Sequence, residues 1–245
     1  MTPYRLAIVL LFAALVSACA TPGSRPLGDD PACTRIKELP LDKSGTQYAN
    51  PTEAIKVLSE CDAKSPDSPA GARAAVLRMR GIAYEQSNDY AMAIADSEEA
   101  LRLRPARTAW DVIGLATLYR KAGQPERALV LLRKNIFDEH LGMTGKGTTL
   151  GMPSYYHLGL TLVDLEKWPE AVEVFTEGLT YQPDFAWAYF YRAVAYSGMR
   201  DVEHARADFR KGRQLIDSMS SDSRTQAQES LKQEPFATLL VEYPE

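Results

Sequence analysis

With 245 residues, 45% of them hydrophobic and 24% charged, the chain has an ordinary globular composition. Its 28 lysines and arginines stand against 32 aspartates and glutamates, a formal charge of −4, so nothing predicts a nucleic-acid-binding face. Three histidines and three cysteines, with no HExxH and no paired-cysteine motif, give no ligand set for a metal.

Residues 1–18 stand apart. Arg5 supplies one positive charge, and Leu6 to Val16 is an apolar run of eleven. A membrane-spanning helix needs about 20 residues, so the run reads as a secretory signal. It ends in Val16-Ser17-Ala18-Cys19. This looks like a lipobox, in which processing cuts before the cysteine and acylates it; the simpler reading is a plain signal peptide with an incidental cysteine. Several acyl chains on Cys19, at about 0.8 kcal/mol per buried methylene, would anchor the protein to a membrane without threading it through. Ala20 follows, where lipoproteins kept in the inner membrane usually carry Asp. The expected location is therefore the outer membrane, facing the periplasm. Residues 19–32, with Pro22, Gly23, Pro26, Gly28 and Pro31, read as a flexible tether.

Residues 33–69 form an irregular segment with a partial repeat. An oxidising compartment makes a Cys33–Cys61 disulfide the favoured reading. The other reading leaves Cys61 as a small buried helix residue and Cys33 as a free thiol. Pro51-Thr52 starts a predicted helix that runs to about Asp62, and Pro66 and Pro69 break the chain after it.

From residue 70 to 217 the chain repeats. Gly159 and Ala193, Leu162 and Tyr196, Ala171 and Ala205, Phe175 and Phe209, and Gly178 and Gly212 are each 34 apart. That period marks a helix-turn-helix array in which a small residue lets two helices approach. Phe175 and Phe209 follow Ala171 and Ala205 by four and share their helix face. Two more copies lie upstream: Leu77, Gly81, Tyr84, Ala93 and Ala100, then Val112, Ala116, Tyr119, Ala128 and Leu132. Ser97 stands in the large aromatic's place, and Asn135 and His140 replace a usual small residue and Pro, so the second copy is expected to end irregularly. The pattern resembles the tetratricopeptide repeat family, with units at about 74–107, 109–142, 152–185 and 186–219. The resemblance implies an all-α solenoid, a right-handed superhelix of hairpins closed by a C-terminal capping helix.

Phe137 to Pro153 interrupts the period. The spacing from Ala116 to Gly159 is 43, so about nine residues are inserted. Gly142 to Thr149 lacks the spacing of a phosphate-binding loop and follows no predicted strand, which argues against a nucleotide. The insert reads as a mobile loop on one edge or a contact loop for a partner. In residues 220–245, Arg224 to Gln233 is a predicted cap with Ala227 and Leu231 facing inward. The apolar end, Phe236 to Tyr243, is expected to pack on the solenoid, with its groove as one location.

No motif joins His140, His157 or His204 to a nucleophile, so no enzyme and no cofactor are predicted; a surface or groove histidine is the reading of His157. In the resembled family the first helix of each unit lines a concave face. The matching positions are Arg78, Met79 and Ile82; Trp110, Ile113, Thr117, Arg120 and Lys121; Tyr156, His157 and Leu160; and Trp187, Phe190, Tyr191 and Val194. The carboxylate clamp of chaperone-binding members is absent. The resemblance implies a groove for a peptide or helix of a periplasmic or envelope protein, anchored on aromatics, with Arg78, Arg120 and Lys121 as cationic contacts. A scaffold serving the envelope or cell wall is the first reading. An assembly factor or pilotin for a pilus, secretin or outer-membrane complex is the second, and an enzyme or ligand-binding protein the last. Dimerisation is left open.

Overall fold

The computed structural model describes residues 31–42, 45–64 and 68–243. The signal-like segment, Cys19 and all but the end of the tether lie outside the described residues. The chain divides between Ala106 and Arg107 into two compact units. Among the described residues the regular structure is helical, with isolated bridges only, and no helix is long and apolar enough to cross a membrane.

The first unit opens with a short helix α1 (Pro31–Thr34) and a 3-10 turn (Arg35–Glu38). Three longer helices follow: α2 (Pro51–Lys64), α3 (Ala70–Gln86) and α4 (Tyr90–Leu103). Ala54, Val57, Leu58 and Cys61 fall on one face of α2 and are buried, the spacing of an amphipathic helix. Each such Val or Leu contributes about 1.5–3 kcal/mol by leaving water. The irregular segment before α2 is fastened at three places. Cys33 and Cys61 form a disulfide. The Tyr48 backbone and the Gln86 side-chain amide exchange two hydrogen bonds, 3.1 and 3.2 Å. Arg35 also reaches Glu53 and Glu60, both exposed pairs of small worth. Because the disulfide closes a 28-residue separation, its reduction should cost this unit roughly 2–4 kcal/mol. Urea unfolding with and without reductant measures this directly.

The second unit contains α5 (Ala109–Lys121), α6 (Pro125–Leu132), α7 (Met152–Asp164) and α8 (Trp168–Tyr181). It continues with α9 (Ala186–Gly198), α10 (Val202–Asp217), α11 (Ser221–Leu231) and α12 (Phe236–Glu242). The hairpins α3–α4, α5–α6, α7–α8 and α9–α10 turn in one way. Asn88, Gly123, Glu166 and Arg200 each take a positive φ, between 55° and 70°. The next residue donates its N–H five positions back: Asp89 to Tyr84, Gln124 to Tyr119, Lys167 to Leu162 and Asp201 to Tyr196, all 2.8–2.9 Å. This is the Schellman end of a helix, which satisfies carbonyls that the helix leaves unpaired. The following helix starts at once, with Asp89 and Asp201 accepting from the N–H groups of Met92 and His204. The third turn therefore centres on Glu166, and Trp168–Pro169 already belongs to α8.

The small residues sit at close contacts. A Cβ on Gly159 would lie 2.5 Å from the Phe175 ring, and one on Gly212 would lie 2.8 Å from Phe190. Ala171, Ala193 and Ala205 have no exposed surface. At Gly81 the facing atom is Ser97 Oγ, 3.3 Å away, so that crossing is looser where Ser97 replaces an aromatic.

Two ion pairs recur with the fold. Arg80 of α3 forks onto Asp96 of α4, both contacts 2.7 Å, and donates to Ser59 of α2 at 3.3 Å. Arg192 of α9 forks onto Asp208 of α10 at 2.6 and 2.8 Å, and donates to Thr176 of α8 at 2.9 Å. Each arginine thus joins three successive helices. The aspartate stands 16 residues after the arginine in both, and the arginine directly precedes the small crossing residue.

The second copy ends irregularly, as its unusual residues predict. Helix α6 runs into a π turn (Arg133–Asp138), where Asn135 donates to Leu131 O at 2.9 Å. The insert after it is a folded loop and not a loose edge. Gly142 N donates to Gly145 O (2.9 Å), Gly147 N to His140 O (2.7 Å) and Ala109 N to Gly142 O (3.0 Å). Leu141 is buried, and a Cβ on Gly142 would meet Thr148 O at 2.3 Å. The loop therefore satisfies a backbone donor at the start of α5.

Candidate protein-interaction face

The first helices of the hairpins in the second unit, α5, α7 and α9, bring together most of the residues singled out in the sequence. At the end of α5, Arg120 forks onto Asp164 of α7, with contacts of 2.5 and 3.1 Å. Such a two-point guanidinium–carboxylate contact fixes both side chains. Thr117 Oγ1 donates to Ile113 O at 2.9 Å and lies 3.5 Å from His157 Nδ1. Thr117, Arg120, Lys121, Gly123, Pro125 and Asp164 line a shallow depression of about 570 Å³. Lys121 is exposed at its rim.

An aromatic row runs on from there. The Tyr156 ring meets His157 edge-on at 5.5 Å, Phe185 at 5.1 Å and Tyr191 at 5.9 Å. Burial raises the Tyr156 hydroxyl well above the usual phenol range. Tyr191 is raised too, by burial first, with Asp164 adding and Arg120 opposing. Edge-on contacts of this kind add about 0.5–1.5 kcal/mol to the area they bury.

His157 is largely covered, not a surface histidine. Burial, and then the Arg120 charge, push it down to about 4. The folded chain therefore keeps His157 neutral where an unfolded chain would protonate it. Between pH about 6.5 and about 4 the unfolded state binds the extra proton, so stability is present above that window and is lost as pH falls through it. The depression corresponds to about 3 kcal/mol at its full extent. His157→Gln should flatten the slope of stability against pH across that window, measured by urea unfolding at a series of pH values.

Most apolar members of the sequence-predicted face go inward, while Ile82 on α3 stays 45% exposed. Ile113 and Leu160 are buried. Phe190 has no exposed surface: its ring fills the space over Gly212 and meets Phe209 at 5.2 Å, so it belongs to the core and not to the face. Trp110 remains 43% exposed at the start of α5. Trp187 and Tyr191 are covered by the tail helix α12, whose Phe236 ring lies 5.8 and 4.9 Å from theirs. Arg78 lies on α3, in the first unit. Asp164 and Phe185 complete the site and escaped the sequence reading, while Phe236 belongs to the apolar end expected to pack on the solenoid and lies against Trp187 and Tyr191. Asp164 was legible as an acid one helical turn beyond Leu160 on the same helix. Among the described residues no group of three or more His, Cys, Asp or Glu could hold a metal.

Residues 76–107 match the tetratricopeptide repeat family. No curated protein matches the chain in sequence. Solved structures resemble it in fold. YrrB, described as a TPR protein with an unusual peptide-binding site, is 18% identical with a TM-score of 0.52, over 73% of this chain and 84% of that one. A MamA structure is 17% identical with a TM-score of 0.58, over 77% and 95%. MamA from Desulfovibrio magneticus RS-1, residues 41 to the end, is 21% identical with a TM-score of 0.58, over 71% and 89%. At these identities the likeness speaks for fold alone: the chain carries a tetratricopeptide repeat and has the all-helical fold of tetratricopeptide solenoids.

Proposed function

We propose that this protein is a membrane-anchored tetratricopeptide scaffold that binds envelope proteins from the periplasmic side. The observation that carries the reading is the face of α5, α7 and α9. An open depression, rimmed by Lys121 and the Arg120–Asp164 fork, shares α7 with a row of half-buried aromatics. Such a face suits a peptide or helix that brings a carboxylate to the rim and an apolar side chain to the rings. The fold is shared with YrrB, a TPR protein with a peptide-binding site, which supports the same use here. The lipobox-like Val16-Ser17-Ala18-Cys19 supports acylation at Cys19 and an outer-membrane location. The binding surface would then stand off the membrane on the tether.

The test uses the tagged full chain, crosslinked in intact cells that make it and then captured. Lys121→Glu should remove captured envelope proteins, while Val130→Glu, at an exposed position of α6, should not. Cys19→Ser should move the chain out of the membrane fraction. Cell-wall enzymes among the captured proteins favour a scaffold; secretin or pilus subunits favour an assembly factor. Equal capture by both charge variants would rule out this face.

A further inference from the structure

The aromatic row does not end with the repeats. Tyr156 of α7 meets Tyr191 of α9 at 5.9 Å, and Tyr191 meets Phe236 of α12 at 4.9 Å. The last ring in the row is supplied by the C-terminal tail. Phe236 also lies 5.8 Å from both Trp187 and Phe190. Leu239 follows on the same face of α12 and is buried, as is Tyr243 just past the helix end, while Val241 is 82% exposed. The hydrogen bonds of this segment are local: Phe236 N and Ala237 N donate to Gln233 O, and Tyr243 N to Leu239 O. Side-chain packing seats it, with Phe236, Leu239 and Tyr243 joined to Phe190, Phe209, Ile216, Ala227 and Leu231, and a helix of only seven residues opens more readily than the longer helices it packs on.

We propose that α12 is a removable occupant, and that the surface beneath it binds an amphipathic helix of a partner protein carrying an aromatic, a leucine and an aromatic at positions i, i+3 and i+7. The tail itself shows the chemistry: Phe236, Leu239 and Tyr243 have that spacing and all three are buried, and in an unbroken partner helix the same spacing falls on one face. A partner helix longer than the seven residues of α12 would cover the same rings and extend along α9, burying more apolar surface than the tail does. The inference rests on the scaffold reading above and names the partner's chemistry at its C-terminal end.

The probe is a synthetic peptide of residues 234–243, Glu-Pro-Phe-Ala-Thr-Leu-Leu-Val-Glu-Tyr. The full chain with Phe236→Ala and Leu239→Ala, whose tail is unseated, should bind it at least tenfold more tightly than the wild type. Adding Tyr191→Ala should reverse that gain at least tenfold. In the wild type, a saturating isotopically heavy form of the peptide should speed amide exchange at residues 239–243 at least tenfold. Equal peptide affinity in the unseated and wild-type chains overturns the proposal, as does unchanged tail exchange under the heavy peptide. If the unseated variant does not fold, the wild-type exchange measurement decides alone. If Lys121→Glu abolishes partner capture while the peptide finds no seat, this inference falls and the scaffold reading stands; if the peptide binds while capture survives Lys121→Glu, the rim of α5 is ruled out as the docking point and the seat under α12 stands.

Discussion

Asp208→Ala is expected to destabilise the second unit by about 3–5 kcal/mol. The carboxylate is only 7% exposed and takes both donors of the Arg192 fork. Removing it leaves a guanidinium held between α8 and α10 with Thr176 as its remaining short contact and the Tyr189 ring 5.4 Å away. A charge in such a place cannot shed its proton as a lysine can, so the loss of its counter-ion is not relieved by titration. Replacing both partners, Arg192→Met with Asp208→Leu, should recover most of the loss, because the pair's attraction largely offsets its own desolvation. Urea unfolding followed by tryptophan fluorescence separates the outcomes. A single-variant loss below about 1 kcal/mol would mean that water reaches the pair and the packing of α8, α9 and α10 is looser than described.

Phe175→Ala should cost the same unit about 3–5 kcal/mol. Its ring has no exposed surface, lies over Gly159 and stacks at 6.4 Å with Tyr191 of the next hairpin. The loss combines removed apolar burial with a cavity that neighbouring rings cannot close without leaving their own contacts. The reciprocal change makes the same point. Gly159→Ala drives a methyl to 2.5 Å from that ring, so the ring must move, at about 1–3 kcal/mol. Gly81→Ala, facing Ser97 Oγ at 3.3 Å, asks for a shift of a few tenths of an ångström and should cost less than Gly159→Ala. Equal losses for the two glycine variants, by urea unfolding followed through the helical circular dichroism of both units, would contradict the account of how hairpins close. The pair also separates the two units, since Gly81 lies in the first and Gly159 in the second.

Much of this was legible in the chain because repetition amplifies weak local signals. One glycine before an aromatic means little, but Gly159, Ala171 and Phe175 recurring 34 residues later as Ala193, Ala205 and Phe209 imposes one packing solution twice. Asn135 announced the break in α6 for a similar reason, as a polar residue where the pattern wants a small one. Ala227 and Leu231, four apart, marked the face of α11 that is buried. What escaped depends on neighbours that no period encodes. Phe190 stands at a groove position of the pattern, yet Gly212 leaves a hole on the other side and the ring turns into it. The forks Arg80–Asp96 and Arg192–Asp208 occur in only two of the hairpins, so a search for positions shared by all copies passes over them. The loop after α6 has no internal pattern; its hydrogen bonds to itself and to Ala109 fold it. The tail's apolarity predicted that it packs, and the folded structure places Phe236 against Trp187 and Tyr191.

The most direct test of the interaction face is site-specific photo-crosslinking in intact cells. A photoreactive phenylalanine is placed singly at Trp110 or Lys121 on α5, or at Val130 on α6. The account predicts adducts with other proteins from the two α5 positions and none above background from Val130. Adducts from Val130 alone, or in equal yield from all three, would contradict it.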